Sequence, residues 1–319
     1  MTSATLPRTQ LGGTGLEITR IGFGAWALGG GDWVFGWGPQ DDDASIATIH
    51  RALDLGINWI DTAAAYGFGH SERVVARALE GRSERPLLFT KGGILRGPEG
   101  DAVRSLKRDS ILREAHDSLE RLGVDAIDLY QIHWPIPDED VEEGWSALAE
   151  LREQGLVRHI GVSNFSIEQI RRAEQIAPVE TLQPPYSLIV RDAGAEALPF
   201  CEREGIGVIV YSPMGSGMLT GRMTRERIDA LPAEDWRRRS DNFVEPALSA
   251  NLALVERVKA VAERHGCSPG AVAVAWTLRN PAVHGAIVGF RDPGQLEPIM
   301  AGASVELTDA DVTELEGQR

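Results

Sequence analysis

Cysteine is nearly absent from this chain: Cys201 and Cys267 are the only two in 319 residues, and they share no metal-ligand or redox spacing. That excludes a disulfide framework and fits a reducing compartment. Long apolar runs are missing as well. No segment approaches the length that crosses a bilayer, and the opening residues MTSATLPRTQ lack a basic-then-apolar signal pattern, so a cytoplasmic location and no membrane partner are expected. Positive charge is in deficit, with 32 Lys and Arg against 47 Asp and Glu, a net charge of -15, so nucleic acid is not expected as a partner. The short basic cluster Arg237 to Arg239 reads as a solvated loop. Metal and phosphate signatures are also lacking: there is no HExxH, no cysteine pair and no GK[ST] loop, and the seven histidines are scattered. GVSNF at Gly161 fails as a nucleophile elbow because Phe165 stands where a second glycine is needed. No metal ligand is assigned, and neither a metal enzyme nor a serine hydrolase is expected.

Lysine is scarce too. Only Lys91, Lys107 and Lys259 occur among the 32 basic residues, so arginine supplies the ordinary surface charge. Lys91 stands out against that background, following the apolar run Leu87 to Phe89 and preceding Gly92 and Gly93.

What the chain does have is a regular alternation. With 43% hydrophobic residues it can bury a large core. GGTG between Leu11 and Leu16 predicts an N-terminal β-hairpin. Strands are then expected at Ile21, Trp59, Leu87, Ile127, His159, Glu180, Gly207 and Gly285, nearly all separated by a helix with its own cap signals, such as DDDAS ahead of the helix ending at Gly56. The region Ser212 to Pro246 reads as one large loop, and Asp309 to Glu316 as a final helix. Eight alternating units in about 300 residues predict an α/β fold, a closed (β/α)8 TIM barrel forming one domain over residues 1–319, with an N-terminal hairpin and a C-terminal extra helix. The competing doubly wound sheet needs a glycine turn opening straight into a helix. GFGAWA at Gly22 fails on that context, since Gly29, Gly30 and Gly31 follow at once.

In such a barrel the carboxyl ends of the strands share one face. At those ends stand Asp61, Lys91, His133, Ser163 with Asn164, Gln183, Tyr211, and then Gly289 and Arg291, with Tyr66 in the loop after Asp61. Asp61 taken alone serves equally as a turn or helix cap, but Lys, His, Gln and Tyr are not turn residues. A phenol ordinarily ionises near a pKa of about 10, so acting as a general acid it needs its anion stabilised. A buried ammonium beside it does this, and a carboxylate behind the lysine keeps that lysine charged. A neutral imidazole orients the substrate oxygen. Such a group hands a proton to a developing alkoxide and contains no strong nucleophile, so the electrons come from a bound reductant, for which a nicotinamide is the natural source. The tryptophans of the Gly-rich loop after the first strand, Trp26, Trp33 and Trp37, either roof an apolar pocket or pack that loop onto the scaffold.

In order and spacing, DTAAAYGFGHSE, the Lys91 strand end, QIHWP, GVSNF, QPPYS, YSPMGSGMLTGR and IVGFRDPGQLE resemble the aldo-keto reductases, and the resemblance covers nearly the whole chain. The segments YGFGHSE and GQLE are similar to a bacterial branch related to general-stress and inositol-associated reductases. The resemblance implies a reversible NADPH-dependent reduction of aldehydes or ketones, with Tyr66 as general acid, Lys91 and Asp61 tuning it, and His133 orienting the carbonyl. Ser163, Asn164 and Gln183 would hold the nicotinamide carboxamide and Tyr211 would stack on its ring. Ser212, Met214, Ser216, Leu219 and Gly221 would cross the pyrophosphate, with Arg222 as a charge partner. Gly289, Arg291 and Gln295 fall at the adenosine end, where Arg291 would pair with a 2′-phosphate and favour NADP(H) over NAD(H). Pro298 and Ile299 replace the Glu and Asn that many relatives place against adenine, so those contacts differ. Trp26, Trp33 and Trp134 would line a pocket for a compact apolar or amphipathic carbonyl compound, with no arginine evident there for a carboxylate. The alternatives are a cofactor-binding redox-sensing subunit with little turnover and a barrel that has lost its cofactor.

Overall fold

Residues 6–317, except 32, 34 and 234, are described by a computed structural model of the chain. Local chemistry starts its elements. Asp41 Oδ1 accepts from the Ala44 N–H at 2.8 Å ahead of the first helix, Ser166 and Gln169 form a reciprocal capping box, and Ser268 caps a helix that opens on Pro269. Each such cap contributes about 1 kcal/mol.

Strands β1 (Arg8–Gln10) and β2 (Glu17–Thr19) form the expected antiparallel hairpin around Gly12–Thr14. The chain continues through β3 (Ile21–Gly24), α1 (Asp42–Asp54), β4 (Trp59–Asp61), α2 (His70–Leu79) and β5 (Leu87–Gly92). A second hairpin, β6 (Ile94–Arg96) and β7 (Ala102–Arg104), precedes α3 (Arg108–Leu122), β8 (Ile127–Ile132), α4 (Val141–Glu153) and β9 (Val157–Ser163). Then come α5 (Ile167–Glu174), β10 (Thr181–Gln183), α6 (Ala197–Glu204), β11 (Gly207–Tyr211), α7 (Arg225–Asp229), α8 (Ala247–Arg264) and α9 (Pro269–Leu278). Strand β12 (Gly285–Gly289), α10 (Leu296–Met300) and α11 (Asp309–Glu316) complete the order. The hairpin β6–β7, helix α10 and helix α7, within the region read as one loop, go beyond the sequence expectation.

Strands β3, β4, β5, β8, β9, β10, β11 and β12 close a barrel in which every neighbouring pair is parallel. Side chains alternate along a strand, so a residue two beyond an interior one is also interior. Trp59, Phe89, Leu129, Ile209 and Ile287 make an apolar floor, joined by Leu11 and Ile18 of the N-terminal hairpin region. Two residues further along the same strands stand Asp61, Lys91, Gln131, Tyr211 and Gly289. The floor and the polar layer above it are thus one pattern read at period two.

Gly22 shows why the fingerprint-like glycines are there. A Cβ at this position would lie 2.1 Å from Trp59 Cε2, so the glycine admits an indole whose Nε1 donates to the Thr19 carbonyl at 2.8 Å. The outward-facing residues, among them Ile60, Leu88, Ile160, Val208 and Val288, pack under the helices. Among the described residues no helix is long and apolar enough to cross a membrane.

Candidate active site

Asp61 ends β4 and Lys91 lies near the end of β5, so neighbouring strands bring them together. Lys91 Nζ donates to Asp61 Oδ1 at 2.5 Å and to the Thr62 carbonyl at 3.0 Å, and reaches Tyr66 Oη at 3.5 Å. Lys91 is 1% exposed and Asp61 2%, whereas Tyr66 is half-buried. Burial pushes the Asp61 carboxyl up and the Lys91 ammonium down, each toward neutrality, and their contact opposes both shifts. Burial, with the Asp61 charge adding to it, raises the Tyr66 phenol well above its ordinary value, so it holds its proton through the neutral range. The sequence suggested that the Lys91 ammonium beside this phenol stabilises its anion. In the fold, desolvation has the largest effect on the phenol, and it opposes ionisation.

His133 follows β8. Its ring meets Tyr66 edge-on, with centroids 5.7 Å apart, and burial together with the Lys91 and Arg104 charges holds the imidazole neutral.

A hydrogen-bonded chain links the remaining strand ends. Asn164, at φ 64°, donates to the His133 carbonyl and to Ser163 Oγ, both at 3.0 Å, and accepts from Tyr211 Oη at 2.8 Å. Ser163 Oγ donates to the Gln183 carbonyl at 2.9 Å. Gln183 Nε2 donates to Asp61 Oδ2 at 2.9 Å and to Gln131 Oε1 at 3.3 Å. Gln183 therefore also supports the Asp61–Lys91 pair, a link the sequence did not indicate. Gln131 is a buried member that the sequence reading missed, although a glutamine inside the apolar strand IDLYQI was its signal.

The mouth is walled by aromatic rings from distant segments. Trp26 stacks on Tyr66 at 6.3 Å and Trp33 lies 6.0 Å from it. Trp37 and Trp236 complete the wall: Trp236 stacks on Trp26 at 5.4 Å, and Trp37 meets both edge-on at 5.3 and 5.5 Å. Trp134, expected to line the pocket with Trp26 and Trp33, makes no ring contact with these aromatics among the described residues; it opens a turn in which the Ile136 N–H bonds to its carbonyl at 2.9 Å. Arg237 is not a solvated loop residue. It pairs with Asp235 at 2.6 Å and lies 4.8 Å over the Trp37 ring, bolting the segment after β11 to the segment after β3. Arg238 and Arg239 do stay exposed.

The residues expected along a cofactor divide into two groups. In the segment after β11, positive φ angles at Ser212, Gly215, Ser216, Gly217 and Gly221 bend the backbone. Among the described residues the Ser216 and Gly217 N–H groups have no hydrogen-bond partner, which suits an anion cradle. Met214 and Leu219 bury their side chains in the core, leaving only their backbone for such a role, and Arg222 is exposed.

At the other end Arg291 is already engaged: Nε donates to Gln40 Oε1 and Nη2 to the Pro39 carbonyl, both at 2.8 Å. Gln295 accepts from Arg291 N–H at 3.0 Å and also donates to Asp292. Gly289 is open at the rim. The Pro298 carbonyl accepts from Ser268 Oγ at 2.6 Å, and Ile299 packs near Gly270, so this departure tightens α10 against α9. Among the described residues His133 Nδ1 and the indole nitrogens of Trp33, Trp37 and Trp236 are buried without partners, the condition of a site built to receive a polar guest.

Among known proteins, the chain matches the Aldo/keto reductase family over residues 20–318. It is 40% identical over 294 residues to the aldo-keto reductase YhdN of Bacillus subtilis, covering 91% of this chain and 87% of that protein. It is 33% identical over 324 residues to the NADH-specific methylglyoxal reductase of Escherichia coli, covering 97% of each. The structure of the glycerol dehydrogenase AKR11B4 from Gluconobacter oxydans aligns with a TM-score of 0.86 at 36% identity, over 99% of this chain and 95% of that one.

Proposed function

The chain belongs to the aldo-keto reductase family and is an oxidoreductase, and on that premise we propose that it reduces small aldehydes or ketones with NADPH, reversibly, using Tyr66 as general acid. The observation that carries this is Lys91 Nζ set between Asp61 Oδ1 and Tyr66 Oη inside an aromatic mouth. A nicotinamide cofactor held by Ser163, Asn164, Gln183, Tyr211, the Ser212 to Arg222 segment, Gly289, Arg291 and Gln295 supplies the hydride when bound.

The chain's own residues do the rest. His133, neutral, donates to the carbonyl oxygen and fixes its direction. Tyr66 passes its proton to that oxygen as negative charge develops there, and the nearby ammonium of Lys91 stabilises the phenolate left behind. Asp61, bonded to Lys91 and Gln183, keeps the ammonium charged. Trp26 and Trp33 shield the reacting centre from water. Cys201 and Cys267, both free thiols, suit a reducing cytoplasm.

Preference for NADPH rests on Arg291 keeping donors free beyond its bonds to Gln40 and Pro39, since a guanidinium carries five N–H groups. Since one relative is named as NADH-specific, both cofactors are titrated. Quenching of tryptophan fluorescence gives Kd for both cofactors, and Arg291→Gln is expected to narrow the difference. The catalytic proposal is tested in Tyr66→Phe, which should lose carbonyl-dependent NADPH oxidation while still binding cofactor. Undiminished turnover removes the mechanism. Tight cofactor binding with negligible wild-type turnover on a broad carbonyl panel favours a redox-sensing subunit instead.

A further inference from the structure

The hairpin β6–β7 leaves the barrel directly after β5, closed at its base by the Ser105 N–H bonding to the Gly93 carbonyl at 3.3 Å. It therefore rises from the rim beside Lys91. Its register pairs Ile94 with Arg104 and Arg96 with Ala102. Arg96 and Arg104 are diagonal neighbours on one face, a spacing of about 7–8 Å between strands. Arg96 lies 5.5 Å from the ring centroid of Phe68, which meets Trp33 edge-on at 6.4 Å, and Trp33 in turn faces Tyr66. Arg104 directly precedes Ser105 at the hairpin base on Gly93, and the His133 N–H bonds to the neighbouring Gly92 carbonyl at 3.0 Å, so Arg104 stands on the His133 side of the rim, where its charge helps hold the imidazole neutral.

Both arginines are exposed, and neither is tied into an ion pair among the described residues, whereas Arg85, Arg108, Arg121 and Arg172 are. Glu99 and Asp101 of the hairpin turn make no ion pair with either. Two uncompensated guanidinium groups at the mouth of a protein carrying a net charge of -15 form a local positive rim on an acidic body. Arginine geometry suits a carboxylate or a phosphate.

We propose that Arg96 and Arg104 form an anion subsite at the rim, so that the favoured substrates are carbonyl compounds bearing a carboxylate or phosphate several bonds from the carbonyl. This rests on the carbonyl-reductase function above and gives it a substrate class. Arg104, near His133, takes the group nearer the carbonyl, and Arg96 the outer approach.

The test compares kcat/KM for succinic semialdehyde and glyceraldehyde 3-phosphate with that for their neutral counterparts, butanal and glyceraldehyde. The wild type is expected to favour the anionic member of at least one pair, less so as salt is added. Which pair shows the salt-dependent preference identifies carboxylate or phosphate. In Arg96→Gln and Arg104→Gln the anionic-to-neutral ratio should fall about threefold to tenfold each, mainly through KM, and Arg104→Lys should retain part of it. A ratio unchanged in both Gln variants, or lost as fully with Lys as with Gln, overturns the subsite. Turnover of neutral aldehydes with a ratio indifferent to the arginines removes this inference alone. Failure on all four compounds removes the proposed function with it.

Discussion

Lys91 Nζ lies 2.5 Å from Asp61 Oδ1 but 3.5 Å from Tyr66 Oη, so the ammonium is committed to the carboxylate more closely than to the phenol. The Asp61 charge contributes twice, holding the Lys91 proton on and raising the Tyr66 phenol. In Asp61→Asn the buried ammonium loses its counter-charge and the phenol loses a repulsion, so both groups give up protons at lower pH. The alkaline limb of the pH profile of kcat/KM for carbonyl reduction is expected to move down by about a unit or more. An unmoved limb dissociates Asp61 from the proton donor.

The same pair bears on stability. Removing one partner of a buried ion pair leaves a charge uncompensated and costs about 3–5 kcal/mol, while replacing both with apolar residues costs less than the sum. Asp61→Ala and Lys91→Met should each lower the urea midpoint strongly. The double variant should fall short of additivity, and strict additivity would show that the two do not interact energetically.

Glu114 on α3 is a buried carboxyl outside the barrel interior. It accepts from the Gly93 N–H at 3.0 Å, and burial raises its pKa from 4.5 to about 7. Between those values the folded chain keeps a proton that the unfolded chain has released. Stability from this group is therefore full below the unfolded value, falls as pH rises through the window, and is level above about 7. The loss amounts to about 3 kcal/mol. Glu114→Gln imitates the protonated form, so its Tm should exceed that of the wild type at pH 8 and converge with it near pH 4.5. A difference independent of pH excludes ionisation as the cause.

Trp236 and Arg237 hold the segment after β11 against Trp26 and Trp37. Trp236→Ala removes one of the two stacking partners of Trp26 and an edge contact of Trp37, so that segment should be cleaved faster by limited proteolysis, by about tenfold if the lost contacts hold it by about 1.4 kcal/mol. Mapping the first cut by mass spectrometry decides it. A first cut elsewhere, or an unchanged rate, means the segment is held by its other contacts.

The pieces of the site legible in the chain were those whose position follows from local pattern. Asp61, Lys91, His133, Ser163, Gln183 and Tyr211 each stand at or just beyond the carboxyl end of an apolar run, and parallel strands bring such ends to one face whatever lies between them. Trp37 was visible as a loop aromatic but had no assignable place. Trp236 was lost within a segment rich in charged residues. The hairpin carrying Arg96 and Arg104 was overlooked because its strands are three residues each and flank the turn GPEGD, too short for periodicity to register. Trp134 stands outside the ring wall although it follows His133 directly in sequence, because adjacency in the chain does not fix which rings meet.

By itself the sequence determined the alternation of strands and helices, their caps, the N-terminal hairpin and the polar layer two residues above an apolar floor. These depend on periodicity and on side chains a few residues apart. Only the tertiary structure decided which distant groups share a hydrogen bond or a ring face. Gln183 reaches Asp61 across 122 positions, Arg291 reaches Gln40 across 251, and Trp236, in the segment after β11, stacks on Trp26, in the segment after β3. Such contacts are set by barrel closure and loop packing, which local spacing does not encode.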